Sequence, residues 1–309
     1  MESNGHSNQD VSQAKTSNGE AIEKDDERAK NVPTNILEKG IIYFFTRGRV
    51  GVEQPEAVSD LQRTYFVLRP LPNDAKIGDG AMPDSNNLRL FALPKKVFPK
   101  NGRDRYMAFV EKAGVSMKQL KEDFLQGSDY ETKTSGTRHT PPVTPVGEGV
   151  YAMTMTGRTS HLVYMLTIPK QPADVQEDMG IREKGNFITS LKNPTQKGPV
   201  NARLPEDPEF PKEILEDFNG RGWMPIQKAN YLDYSNAQIL LIGESRDKFD
   251  GALEPTDKDK HNSMETPREE LEKLEGEDQI RIEHLDHDNS VFHDLHINKK
   301  DYPEVLTTW

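Results

Sequence analysis

Arg138 and His139 stand side by side in GTRHTPPVTPVGEGVY, residues 136–151, a stretch that also carries Pro141, Pro142, Pro145 and the run Gly147-Glu148-Gly149. Proline reduces the conformational entropy a loop loses on folding, so this segment is expected to be a loop held in one shape. A guanidinium forks onto a carboxylate or phosphate, and an imidazole adds a hydrogen bond or trades a proton near neutral pH. The expected chemistry is recognition of an anionic group by Arg138, His139 and Glu148. Arg158 from a short hairpin, and Arg47 or Arg49 from a strand end, would help. The same residues also fit a structural role in which Arg138 pairs with Glu148 and ties the loop down.

Acid–base chemistry is the second pattern. His161 opens SHLVYMLTIP, and alternation along a strand puts it on one face with Val163 and Met165. If that strand neighbours the proline-rich loop, His139 and His161 make a two-histidine site acting on a phosphorylated or acyl substrate. A third pattern lies in EHLDHDNSVFHDLH, where His284 and His287, and then His293 and His296, are each three residues apart. That spacing shares a helix face and suits zinc or nickel, although an acidic tail that happens to be rich in histidine has the same look. There is no cysteine, so thiolate metal sites, disulfides and cysteine nucleophiles are excluded. The phosphate-loop, dinucleotide, serine-hydrolase and zincin signatures are all missing, and no cofactor is expected.

The elements that must position these residues are mostly strands. GIIYFFT begins at Gly40 with Ile41, Tyr43 and Phe45 on one face and Ile42 and Phe44 on the other, which predicts a central strand covered on both sides. Comparable runs start at Arg63, Asn87, Arg105, Val150, Ser160, Asn186 and Ala237. Gly157-Arg158-Thr159 reads as the hairpin loop between two of them. The aromatic residues beside Arg47, Arg49, Arg63 and Arg69 could stack on RNA bases, but no ribonucleoprotein motif accompanies them, and they are assigned to the core. Three short helices follow from a capping box at Ser116 and from prolines at 172 and 211 in first-turn positions. Eight strands against three short helices predict a β-rich α+β domain.

Composition sets the boundaries. Only 33% of residues are hydrophobic and 29% are charged, and residues 244–309 alone hold 19 acids and 9 bases. The division expected is a disordered arm over 1–38, a nearly neutral β-rich core over 39–244, and an acidic, mostly disordered tail over 245–309 with a short helix at 267–275. Thr266-Pro267-Arg268-Glu269 starts that helix, and Gly276 is expected to end it. No leader peptide or membrane-spanning run is read in the sequence, which points to a cytoplasmic or nuclear protein.

The strings GIIYFFTRGRVGVE, SDLQRTYFVL, YETKTSGTRHTPPVTPVGEGVYAM, HLVYMLTIP, FITSLKNP and NYLDYSNAQILLIG resemble an uncharacterised family of fungal and prokaryotic proteins over about residues 38–243. Fungal members often bear the label "BTB domain transcription factor", which would imply a transcription-associated interaction protein. A BTB fold is rich in helices, whereas this core reads as strands. LFALPKKVF, residues 90–98, has Pro94 where the BTB pattern has histidine. No DNA-reading module is visible, so specific DNA binding is not expected. The leading expectation is a non-enzymatic binding or adaptor protein that takes an anionic small molecule or protein through the Arg-His loop. An enzyme using His139 and His161 is the alternative.

Overall fold

The computed structural model describes residues 21–52, 54–132, 136–196, 204–261, 265–285, 289–295 and 304–309. In chain order the strands are β1 (Ile22–Lys24), β2 (Ile36–Gly48), β3 (Leu61–Leu71), β4 (Ala75–Ile77), β5 (Leu88–Leu93), β6 (Arg105–Val115), β7 (Ser128–Thr132), β8 (Gly136–Thr140), β9 (Val143–Thr156), β10 (Thr159–Ile168), β11 (Lys184–Lys192), β12 (Trp223–Met224) and β13 (Gln238–Gly243). The helices are α1 (Asp26–Asn31), α2 (Met117–Leu120), α3 (Asp174–Met179), α4 (Lys212–Asp217), α5 (Asp257–His261), α6 (Pro267–His284) and α7 (Asn289–Asp294). The protein is β-rich α+β, as its sequence pattern predicts.

All eight expected runs are staves of one antiparallel sheet, in the order β10-β9-β2-β3-β5-β6-β13-β11, and β10 also pairs with β11. That last pairing closes the sheet into a barrel, which removes exposed strand edges. Alternation sorts the side chains. Ile42 and Phe44 of β2, Phe66 and Leu68 of β3, Leu162 and Tyr164 of β10 and Phe187 of β11 belong to one buried cluster. Phe98, from the β5–β6 connection, lies 5.4 Å from Phe44 and 5.8 Å from Phe187, ring centre to ring centre. It therefore joins staves from opposite sides of the closed sheet, and this cluster is the barrel's filled interior. Gly149 faces inward where β9 meets β10, and a Cβ there would stand 2.2 Å from the Met165 carbonyl oxygen. Only glycine allows that approach.

The outward residues Ile41, Tyr43 and Phe45, Tyr65 and Val67, Val150 and Ala152, and Val163 and Met165 form a second buried cluster beneath α2, α6 and α7. β2 is thus covered on both faces, as expected. One end of the barrel is closed by α3 and residues 304–309. There the Val175 amide donates to the Thr307 carbonyl at 3.1 Å, and Leu306 donates to Pro145 at 3.0 Å. The segment around α4 adds Phe210, Ile214, Phe218 and Tyr231 to the interior cluster.

The flanks differ from the sequence expectation. Residues 1–20 lie outside the described residues, but 21–38 supply β1, α1 and the start of β2. The helix expected over 267–275 runs through Gly276 to His284. A capping box at Thr266 and Glu269 opens it, and it docks on the barrel through Pro267, Glu270, Leu271, Leu274, Asp278, Arg281 and Ile282, all buried. The boundaries at 38 and 244 therefore do not separate a core from its tails among the described residues. The charges explain the difference, because three of these seven docked residues are ions and disguise the stripe. Arg281 is fully buried and donates to Asp278, to Asp294 of α7, and to Glu148 of β9. Beside them Tyr43 donates to Asp294 at 2.8 Å and Thr167 to Asp278 at 2.7 Å. A second cluster joins Lys39 of β2 and Arg28 of α1 to Glu270 at 2.6 and 2.9 Å.

Candidate functional site

β9 organises the residues that the sequence singles out, and it separates them. At its start, the Pro141-Pro142 link joins it to β8, so residues 136–149 are mostly strand rather than loop. Pro145 lies at a register shift opposite Phe45, a bulge that tolerates a residue without an N–H. Arg138 and His139 are exposed on the β7–β8 hairpin, whose residues 133–135 lie outside the described residues. His139 Nδ1 is 2.5 Å from Asp129 Oδ1, and the His139 carbonyl accepts from the Gly51 amide at 3.2 Å. Arg47 is at this end too, paired in register with Val143. Its guanidinium lies 5.5 Å from the Phe124 ring centre and donates to the Phe124 carbonyl, so packing occupies it. Arg49 is exposed nearby.

Arg158 and His161 lie at the other end. The contour of β9 between the two ends is about 40 Å at the usual strand rise. The expected grouping of Arg158 with Arg138 therefore does not form, and neither does a two-histidine site of His139 and His161. Glu148 is not a loop ligand either: it points outward from β9 into the fully buried ion cluster and holds Arg281. His161 is 6% exposed and engaged at both ring nitrogens. Nε2 is 2.8 Å from Thr156 Oγ1, and Nδ1 is 3.2 Å from Glu244 Oε2. Of the paired histidines, His284 is bound to Asp79 at 2.5 Å and His293 is exposed, while His287 and His296 lie outside the described residues. Among the described residues no group of three or more His, Asp or Glu side chains is placed to hold a metal.

The structure gathers a site that sequence spacing does not reveal. A cleft of about 580 Å³ lies between the end of α3, the Ile181–Lys184 link into β11, residues 246–250 and the first turn of α6. Gly180 ends α3 in the left-handed region (φ 79°), and a Cβ there would stand 2.7 Å from the Phe98 carbonyl oxygen. That turn sends the chain back along the cleft wall. Five cations line the cleft: Lys100, Arg182, Lys184, Arg246 and Arg268. Three carboxylates face them, from Glu177, Glu183 and Asp250, and Pro172, Ile181 and Phe249 supply an apolar part.

The cations are not equivalent. Arg182 is a strut, donating to the Glu244 carbonyl at 2.9 Å and to the Lys100 carbonyl, so it fixes two walls. Lys100 donates to the Glu177 carbonyl at 2.8 Å. Arg268 pairs with Asp250 at 2.8 Å and Glu272 at 2.9 Å. The side chains of Lys184 and Arg246 make no hydrogen bond or ion pair among the described residues, although Lys184 lies within electrostatic range of Glu275, and both line the cleft. Two cations without a side-chain hydrogen bond or ion pair, beside three cations tied to the frame, make the lining of this concave site predominantly positive. Sequence reading missed this site because its residues come from α3, β11, α6 and the connections around them, which are far apart in the chain. The only local hint is IREK, residues 181–184, where two bases follow the glycine that stops a helix.

Fold and site together define a closed eight-stranded antiparallel barrel, wrapped by helices on part of its outer face and bearing a cationic cleft near one end. No protein-family model, curated protein or solved structure matches this chain. No helix among the described residues is long and apolar enough to cross a membrane.

Proposed function

We propose that this protein is a binding protein for a small anionic ligand, and that the cleft walled by Ile181–Lys184 and residues 246–250 is its receptor. The observation that carries this reading is the pair Lys184 and Arg246, cations lining a cavity of about 580 Å³ whose side chains make no hydrogen bond or ion pair among the described residues, although Lys184 lies within electrostatic range of Glu275. Five positive and three negative side chains line the cavity, with Glu272 and Glu275 of α6 close to Arg268 and Lys184. A phosphate monoester carries close to two negative charges at neutral pH and offers three acceptor oxygens, which complements an ammonium and a guanidinium together. The apolar lining of Pro172, Ile181 and Phe249 suits a non-polar remainder on the ligand, and the volume falls in the range of small-molecule sites.

This reading keeps the anionic ligand expected from the sequence and moves its receptor away from Arg138 and His139. Calorimetric titration with phenyl phosphate tests it. Replacing both cations (Lys184→Ala with Arg246→Ala) is expected to weaken binding by about tenfold or more, the scale of lost charge-assisted hydrogen bonds. Arg138→Ala is expected to leave the affinity unchanged. The opposite pattern, loss with Arg138→Ala and none with the double variant, would return the site to the β7–β8 hairpin.

A further inference from the structure

We propose that Thr156, His161 and Glu244 form a nucleophile relay on the outer face of the barrel, able to accept an acyl group from a short, uncharged ester onto Thr156 Oγ1. This does not rest on the cationic cleft, since neither Thr156 nor His161 lines it.

The register builds the relay. Thr154 pairs with His161 and Thr156 with Thr159, so Thr156 and His161 are diagonal neighbours on one face of the β9–β10 hairpin. The hydroxyl and Nε2 are 2.8 Å apart. On the far side of the ring, Glu244 Oε2 lies 3.2 Å from Nδ1 and accepts a second bond, at 2.6 Å, from Asn186 Nδ2. The backbone of Glu244 is held in turn by Arg182, which donates to its carbonyl at 2.9 Å. A carboxylate at Nδ1 keeps the proton there, leaves Nε2 as the acceptor facing the hydroxyl, and stabilises the imidazolium that forms when Nε2 takes a proton. A histidine that needed only to be satisfied within a barrel wall would require no buried carboxylate for its second nitrogen. Glu244 is only 9% exposed, and its placement orients His161 as the general base.

The site is open to solvent and has candidate oxyanion donors beside it. Thr156 is partly exposed, as is Ile188, the β11 residue opposite His161, whose side chain offers an apolar rest for a short acyl group. The residue after the nucleophile, Gly157, lies in the hairpin turn with its amide outside the strand ladder, and Arg158 beside it is exposed. A main-chain N–H directly following the nucleophile and a nearby cation are suitable donors for a developing oxyanion.

The reaction is balanced with water as the co-reactant. Thr156 Oγ1 attacks the ester carbonyl carbon while its proton passes to His161 Nε2. The bond from the acyl carbon to the alkoxy oxygen then breaks, and the departing oxygen takes the proton from Nε2 and leaves as the alcohol. Water attacks the threonyl ester, giving its proton to Nε2. Oγ1 recovers that proton as the carboxylic acid is released.

The test uses the full chain and p-nitrophenyl acetate, following p-nitrophenol release and locating acetyl groups by peptide mass spectrometry. Acetyl is expected on Thr156, retained in Thr156→Ser and absent in Thr156→Val. His161→Gln is expected to slow acetylation by about a hundredfold or more, the scale of lost general-base assistance. Circular dichroism reports whether each variant folds. If His161→Gln does not fold, the comparison of Thr156→Ser with Thr156→Val decides alone. The proposal is overturned if no acetyl appears on Thr156, if p-nitrophenol release is the same in Thr156→Val, or if a folded His161→Gln is acetylated at the parent rate.

Discussion

The two faces of the same eight strands are both packed with apolar residues, but only the outer one adds buried ions. Inward, β2, β3, β10 and β11 present Phe44, Phe66, Tyr164 and Phe187, and ring packing with Phe98 fills the barrel. Outward, under α6, Leu271, Leu274 and Ile282 join a second apolar cluster, and the contact also depends on Arg281 and its three carboxylates and on Lys39 and Arg28 around Glu270. Apolar packing gains from each surface removed from water and degrades gradually when a side chain is trimmed. A buried ion cluster is stable only while every member is present.

The sharpest way to break this comparison is Arg281→Met, which strands Asp278, Asp294 and Glu148 in a dry site. A loss of ~3–5 kcal/mol is expected by urea denaturation, together with freer amide exchange in α6. Replacing Arg281 and the three acids together by apolar residues of similar size is expected to recover most of it. On the inner face Leu166→Ala removes packing only, and about 2–3 kcal/mol is expected. If Leu166→Ala proved costlier than Arg281→Met, the ionic layer would be secondary.

Alkaline titration compares both faces at once. Burial raises the phenol of Tyr43 on the outer face and of Tyr151 and Tyr164 inside, Tyr164 to about 12. The folded chain keeps these protons where the unfolded chain releases them, so stability is full below pH 10 and falls as pH rises from there toward 12. For Tyr164 alone the loss is on the order of 2 kcal/mol. Ultraviolet absorbance should show these phenols ionising late, as unfolding begins. The smallest effect is expected at Arg268, whose pairs with Asp250 and Glu272 are solvated. Arg268→Ala should shift stability by less than about 1 kcal/mol.

This contrast also explains what the sequence makes legible. The eight staves are readable because β-branched and aromatic residues alternate, as in Ile41 to Phe45. Closure through β10 and β11 is not readable, because pairing partners leave no local mark in either strand. The buried stripe of α6 has regular helical spacing at 267, 270, 274, 278 and 281, but Glu270, Asp278 and Arg281 disguise it as a solvated face. Among site residues, His161 shares the outward face of its strand with Val163 and Met165, as alternation predicts. Its partner Glu244 is 83 residues away, beyond the reach of any spacing rule. Arg138 and Arg158 looked like one constellation because they are close in sequence, yet a long extended strand between two residues separates them as far as chain geometry allows.

The receptor role of the cationic cleft is tested most directly by adding phenyl phosphate to the isotope-labelled protein and following its amide resonances. The account predicts saturable shifts concentrated at Gly180–Lys184 and Ser245–Asp250, with those of Thr137–Thr140 unmoved. Shifts confined to Thr137–Thr140, or none at saturating phosphate ester, would contradict it.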